Sequence, residues 1–219
     1  MSAYKVLECE DADMRRVFDI TSLAFQRNEP MWDATYPQHW TEEGRRKAGV
    51  RLIGKKNSDP TTTYCKAVNE HGVIVGMAKW VILKDCYPPS EDEIEGGGTG
   101  EGTSPEDTAW FNDMIVAFSA PRTAAIEASK GNLVSLDVLA VDPEYQQQGA
   151  GKALLAWGTK KADEMGVDMV VEATTHGRQI YERTGFIWQK DVTVEPGERW
   201  ADRPKQEFAW MVRPKKGGA

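Results

Sequence analysis

Basic residues are missing from one long stretch of this chain. Glu91, Asp92, Glu93, Glu95, Glu101, Glu106 and Asp107 stand between residues 91 and 107, with no Lys or Arg among them. Set those apart and the net charge of −7 disappears, leaving a balanced remainder. Nothing in that remainder resembles the clustered Lys and Arg of a nucleic-acid-binding face. Cysteine is scarce as well. Cys9, Cys65 and Cys86 are scattered without a metal-binding or redox spacing, which fits a reducing compartment. No apolar run reaches the roughly 18 residues of a membrane span. The opening "MSAYKVLECE" lacks the basic-then-apolar pattern of a signal peptide. The expectation is a cytoplasmic protein with no membrane span, no nucleic-acid partner and no metal.

The 219 residues that remain to be explained suit one well-filled domain. "YKVLECE" (4–10) alternates as a short strand. Met14, Val17, Phe18, Thr21, Ala24 and Phe25 then fall on one helical stripe. "NEPMWDATYPQHW" (28–40) reads as an aromatic loop, and a polar helix follows over roughly 41–55. "TTTYCKAVNE" and "VIVGMAKWVIL" are β-rich runs joined by "NEHG", a hairpin connection. The acidic, Gly- and Pro-rich stretch at about 85–108 has little to bury and is expected to be a flexible insertion. Residues 106–130 read as helix, interrupted near Pro121. "NLVSLDVLAV" (132–141) is the most strand-like run in the chain. From Ala150 the period returns to 3.6 as far as Met165. "VDMVVEAT" is again a strand, "HGRQIYERTGF" a short helix, and two closing strands follow. Helices inserted among hairpins favour a mixed α/β or α+β sheet, here as one domain over 1–219.

"YQQQGAGKALL" (145–155) places glycines at the mouth of a helix, the arrangement that lets an anion lie against backbone N–H groups. A triphosphate loop is excluded by Gln146 where its first Gly belongs and by Ala153 where a hydroxyl belongs. A dinucleotide fingerprint is excluded by Leu154 at its third Gly. The pyrophosphate of coenzyme A fits a strand, a tight turn and a helix N-terminus in that order. Glycines used only for tight packing are the alternative.

"LDVLAVDPEYQQQGAGKALLAWG" resembles the acetyl-CoA-binding segment of the GNAT acetyltransferases, whose motif is Arg/Gln-x-x-Gly-x-Gly/Ala after a strand ending Leu-x-Val-x-Pro. It stands here as Gln146-Gln147-Gln148-Gly149-Ala150-Gly151 after Leu139-Ala140-Val141-Asp142-Pro143. "VVEATTHGRQIYERTGF" resembles the family's next strand and the helix carrying Tyr-x-x-x-Gly-Phe, Tyr181 to Phe186. Thr174 stands where the family often has Asn, and Gln146 where it often has Arg.

The resemblance implies a central, mostly antiparallel mixed sheet of about seven strands, flanked by helices and splayed at its two central strands. It implies acetyl-CoA as co-substrate and direct transfer of the acetyl group to a primary amine of a small molecule or a peptide. A homodimer is among the assemblies it allows. Leu139, Ala140 and Val141 would hold the pantetheine arm by their main chain. Gln146 to Gly151, with Lys152 and Thr174, would hold the rest of the coenzyme. Tyr181 would touch the coenzyme and protonate the departing thiolate. Asp137 and Glu172 are candidates for the base, since an alkylamine is charged near neutral pH, and His176 is a third. Alternation places Asp137 on the same face as Leu139 and Val141. Trp32, Tyr36 and, from the third strand, Trp80 are candidates for the acceptor wall, together with Met31 and Trp40. Two other readings stay open, an acyl-CoA sensor without turnover and an interaction module acting through its acidic insertion.

Overall fold

The computed structural model describes residues 4–90, 93–95, 97–101, 103–174 and 177–217. Seven strands form one sheet in the order β1-β2-β3-β4-β5-β7-β6. They are β1 (Lys5–Glu8), β2 (Thr62–Val68), β3 (Ile74–Leu83), β4 (Leu133–Val141), β5 (Asp168–Ala173), β6 (Ile187–Thr193) and β7 (Glu207–Arg213). All neighbours run antiparallel except β4 and β5, which are parallel. This is the mixed, mostly antiparallel α/β sheet expected from the sequence.

Among the described residues six helices cover it: α1 (Met14–Phe25), α2 (Pro30–Thr35), α3 (Glu42–Ser58), α4 (Pro105–Ala128), α5 (Ala150–Met165) and α6 (Arg178–Glu182). On one face α5 buries Leu154, Leu155 and Ala162 against Trp80, Val134 and Leu136. On the other face Val17 and Phe18 of α1 and Leu52 of α3 meet Tyr64, Met77 and Ala140. Further along that face Trp110, Met114 and Ile126 of α4 pack on Leu133, Val170 and Phe208. Periodicity accounts for α1 and α5, each of which has an apolar stripe that a sheet face can bury.

Two elements differ from the sequence reading. The aromatic loop contains α2, which starts with Pro30 in the first turn, where a missing N–H costs nothing. The helix expected to break near Pro121 runs on through it to Ala128. Pro121 forfeits one hydrogen bond to the carbonyl four residues back, but burial of Trp110, Met114 and Ile126 anchors the helix on both sides of it.

The described part of the insertion rests on α3. Arg51 donates to the carbonyls of Gly97 and Gly98 and, at the end of α2, to that of Thr35. The Glu95 N–H donates to Ser58 Oγ at 2.9 Å. Among the described residues no helix is long and apolar enough to cross a membrane. Nor does any group of three or more His, Cys, Asp and Glu suit a metal ion.

Candidate active site

The site begins with a fault in β4. Lys79 of β3 pairs with Val138, but its neighbour Trp80 pairs with Leu136, so Asp137 is the extra residue of a β-bulge. A bulge reverses the alternation beyond it. Val134 and Leu136 lie with α5, and past the bulge Leu139 and Val141 do so instead. Asp137 points the other way, to Arg122 of α4. The expected alternation is therefore corrected: Asp137 lies on the face opposite Leu139 and Val141, because period two does not survive an inserted residue.

The same region opens the sheet. Parallel pairing of β4 with β5 runs from Leu133↔Asp168 to Leu136↔Val171 and stops there, although β4 continues to Val141. A cleft of about 340 Å³ occupies the opening. Leu139, Thr174 and Tyr181 line one side of it. Trp32, Tyr36 and Phe118 line another, and Glu29, Gln206 and Glu207 border it. Phe18 and Trp32 stack with ring centres 5.5 Å apart, and Trp32 and Tyr36 meet at 4.5 Å, so α2 presents a stiff aromatic wall.

Four charged side chains form the floor. Lys79 Nζ donates to Asp137 Oδ2 at 2.8 Å, and Arg122 Nη1 to Asp137 Oδ1. Arg122 also grips both oxygens of Glu172, with Nε 3.0 Å from Oε1. Burial alone would raise the Asp137 carboxyl, but the charges of Arg122 and Lys79 outweigh it and hold it at about 2. Asp137 and Glu172 thus come together as expected, but as partners of cations. Each spends its oxygens on those partners, and Asp137 is held too acidic to serve well as a base. Arg122 and Lys79 went unnoticed in the sequence. Each is a lone cation in an apolar run, "MIVAFSAPRTAAI" and "VIVGMAKWVIL", and a lone charge in an apolar element calls for a buried partner.

Beyond Val141 the chain turns through Pro143–Tyr145 into α5. Arg16 Nη2 holds Asp142 at 2.6 Å, and Asp142 caps the turn by accepting from the Glu144 N–H. The amides of Gln146 and Gln148 donate to the carbonyls of Val141 and Glu144, bracing the turn from within. Gln147 and Gly149 adopt left-handed backbone, with φ of 60° and 100°. A Cβ at Gly149 would meet no protein atom within 4 Å, so the approach to the α5 N-terminus is open. At Gly151 it would press on Ile180 at 3.3 Å, so that glycine serves packing. Ala150 is buried and Lys152 exposed.

Tyr181, on α6, is buried and meets Phe186 edge to face at 5.7 Å. Burial alone raises its hydroxyl well above the ordinary tyrosine range, so it carries its proton at neutral pH. Trp80 is corrected. It is fully buried on the α5 face, where a Cβ at Gly158 would lie 2.3 Å from its ring, and it does not border the cleft. Trp40 is half-exposed beneath Arg27 and is likewise not part of the wall, whereas Met31 lines the cleft. His176 lies outside the described residues.

A parallel strand pair thus parts over a cleft, with an open helix N-terminus and a buried tyrosine beside it. Residues 111–202 match the family model described as acetyltransferase (GNAT) domain. That match covers less than half of the chain, and over those residues the chain is similar to the GNAT acetyltransferases. A curated "Acetyltransferase" from Stachybotrys chartarum is 25% identical over 140 residues, 63% of this chain. The chain spans only 60% of that relative's length. A solved structure from Corynebacterium glutamicum, described as histone acetyltransferase HPA2 and related acetyltransferase, aligns over 100% of this chain and 99% of its own, with 21% identity and a TM-score of 0.63. A GNAT superfamily phosphinothricin acetyltransferase from Sinorhizobium meliloti, solved with AcCoA, aligns over 99% and 91%, with 16% identity and a TM-score of 0.57. These likenesses are to the fold.

Proposed function

We propose that the protein is an acetyl-CoA-dependent N-acetyltransferase acting on a primary amine, of a small molecule in the first instance and otherwise of a peptide. The observation that carries this reading is the parting of β4 from β5 beside the open N-terminus of α5.

Acetyl-CoA supplies the acetyl group as a thioester. The residues around the site fit it. Leu139 to Val141 lie beyond the last β4–β5 pair, so this edge of β4 is open to the pantetheine amides. The α5 N-terminus is set for the pyrophosphate, with the helix dipole favouring negative charge. Tyr181, holding its proton at neutral pH, returns a proton to sulfur as the carbon–sulfur bond breaks and the carbon–nitrogen bond forms; its burial, which keeps the hydroxyl protonated, supports this role. The aromatic wall of Trp32 and Tyr36 shelters an apolar acceptor body. With Asp137 and Glu172 committed to cations, the ammonium proton leaves to water. Among the described residues Glu29 and Glu207 are the acidic groups bordering the cleft outside the ion cluster.

Calorimetry and an acetyl-CoA consumption screen test this. The parent should bind coenzyme A and release thiol with at least one member of a panel of amines, polyamines, amino acids, aminoglycosides and peptides. Gly149→Val should weaken coenzyme binding, because charge-assisted hydrogen bonds lost at the pyrophosphate are worth roughly 1.5–3 kcal/mol each. Unchanged binding by Gly149→Val would remove the turn from the coenzyme site. Binding without turnover across the panel would favour a sensor instead.

A further inference from the structure

We propose that Arg122 is a positioning residue that holds β4 and β5 apart where they separate, and so sets the width of the slot for the pantetheine arm. This rests on the coenzyme-binding reading above. The last paired residues of the two strands are Leu136 and Val171. The next residue on each strand is Asp137 and Glu172, and both carboxylates close on the one guanidinium of Arg122. The guanidinium therefore sits at the fork itself, delivered from α4 above the sheet.

Its shape matters as much as its charge. Neighbouring strands in a continuous ladder lie about 4.8 Å apart. Two carboxylates on different edges of one guanidinium, each at about 2.8 Å from its nitrogen, stand further apart than that. Continued pairing past Leu136 and Val171 would compress the bridge, and the bridge opposes it. Charge balance requires a cation beside Glu172 but does not require that one cation to bridge both strands. Lys79 already neutralises Asp137, and the four groups sum to zero. Nor is net stability what the cluster adds, because desolvating buried ions roughly cancels their attraction. What the guanidinium adds is a rigid, planar spacer tied to both strands.

Two variants test it by calorimetry with coenzyme A. Arg122→Lys keeps the charge but replaces the planar fork with a point charge. Arg122→Gln/Glu172→Gln keeps the cluster neutral and leaves Lys79 paired with Asp137. Both should stay folded by circular dichroism and lose between about 10- and 100-fold in coenzyme affinity, the scale expected of a slot misplaced by about an ångström. In Arg122→Lys the KM for acetyl-CoA should rise by more than kcat falls. If either folded variant binds coenzyme A as tightly as the parent, the spacer role is overturned while the functional reading stands. Loss of folding in both overturns it too, since the cluster would then be structural. A parent that binds no coenzyme A overturns the functional reading, and this inference with it.

Discussion

Tyr181 has two faces to its environment. Its ring packs edge to face on Phe186, and the residue borders the cleft. Tyr181→Phe keeps the ring and removes only the proton donor. A donor that matters as charge builds on sulfur should be missed in kcat and hardly at all in ground-state binding. The expected loss in kcat is about 10²–10⁴-fold, the usual contribution of a general acid, with coenzyme affinity close to the parent's. Steady-state kinetics at saturating acetyl-CoA, paired with calorimetry, measure both. An unchanged kcat would leave Tyr181 as a wall of the coenzyme site. At this scale the sequence was partly legible. The positions of Tyr181, Trp32 and Tyr36 at the cleft and of Gly149 at the α5 N-terminus could be anticipated because turn geometry, aromatic clustering and motif spacing are local properties. Asp137 and Glu172 were located but not understood, because their partners Arg122 and Lys79 come from other elements. Trp80 was misplaced, since an apolar strand buried on both faces gives no alternation to say which face a residue takes.

Elements were more legible than their irregularities. The hairpin, the long strand before the glycine turn and the helix after it all stand near their expected bounds. The bulge at Asp137 did not announce itself, because an inserted residue leaves composition and hydrophobic run unchanged. Pro121 misled in the opposite direction, because tertiary burial carried the helix past it. The seat of α5 on β3 offers a direct test of packing at this scale. Gly158 is the point where helix and strand touch, and a Cβ there would lie 2.3 Å from Trp80 Cη2 and Cζ2. Trp80 is fully buried and cannot swing into solvent. Gly158→Ala should therefore destabilise the fold by about 1–3 kcal/mol, the range for overpacking, despite the better helix propensity of alanine. Urea unfolding curves measure it. A stabilised variant would mean that α5 can lift away from the sheet at little cost.

Across the whole molecule, the ion cluster ties β3, β4, β5 and α4 together beneath the cleft, so its titration should register in global stability. Asp137 carries the shift that allows a signed prediction. Its carboxyl is held at about 2 in the folded state against 3.8 as an ordinary aspartate. A depressed folded value means that the unfolded chain takes up the proton first. The stabilisation is thus complete above about pH 4 and is lost as pH falls from there toward about 2. A shift of that size corresponds to roughly 2–3 kcal/mol. Comparison with Asp137→Asn isolates it, because every other carboxylate titrates in both proteins and cancels in the difference. Urea unfolding at a series of pH values should show a constant difference between parent and variant from neutral pH down to about pH 4. Below that the difference should move against the parent, as far down as both proteins remain folded. A difference that stays flat through that window would mean that Asp137 is solvated in the native protein. Its bonds to Arg122 and Lys79 would then not persist in solution, and the spacer at the fork would lose one of its two anchors.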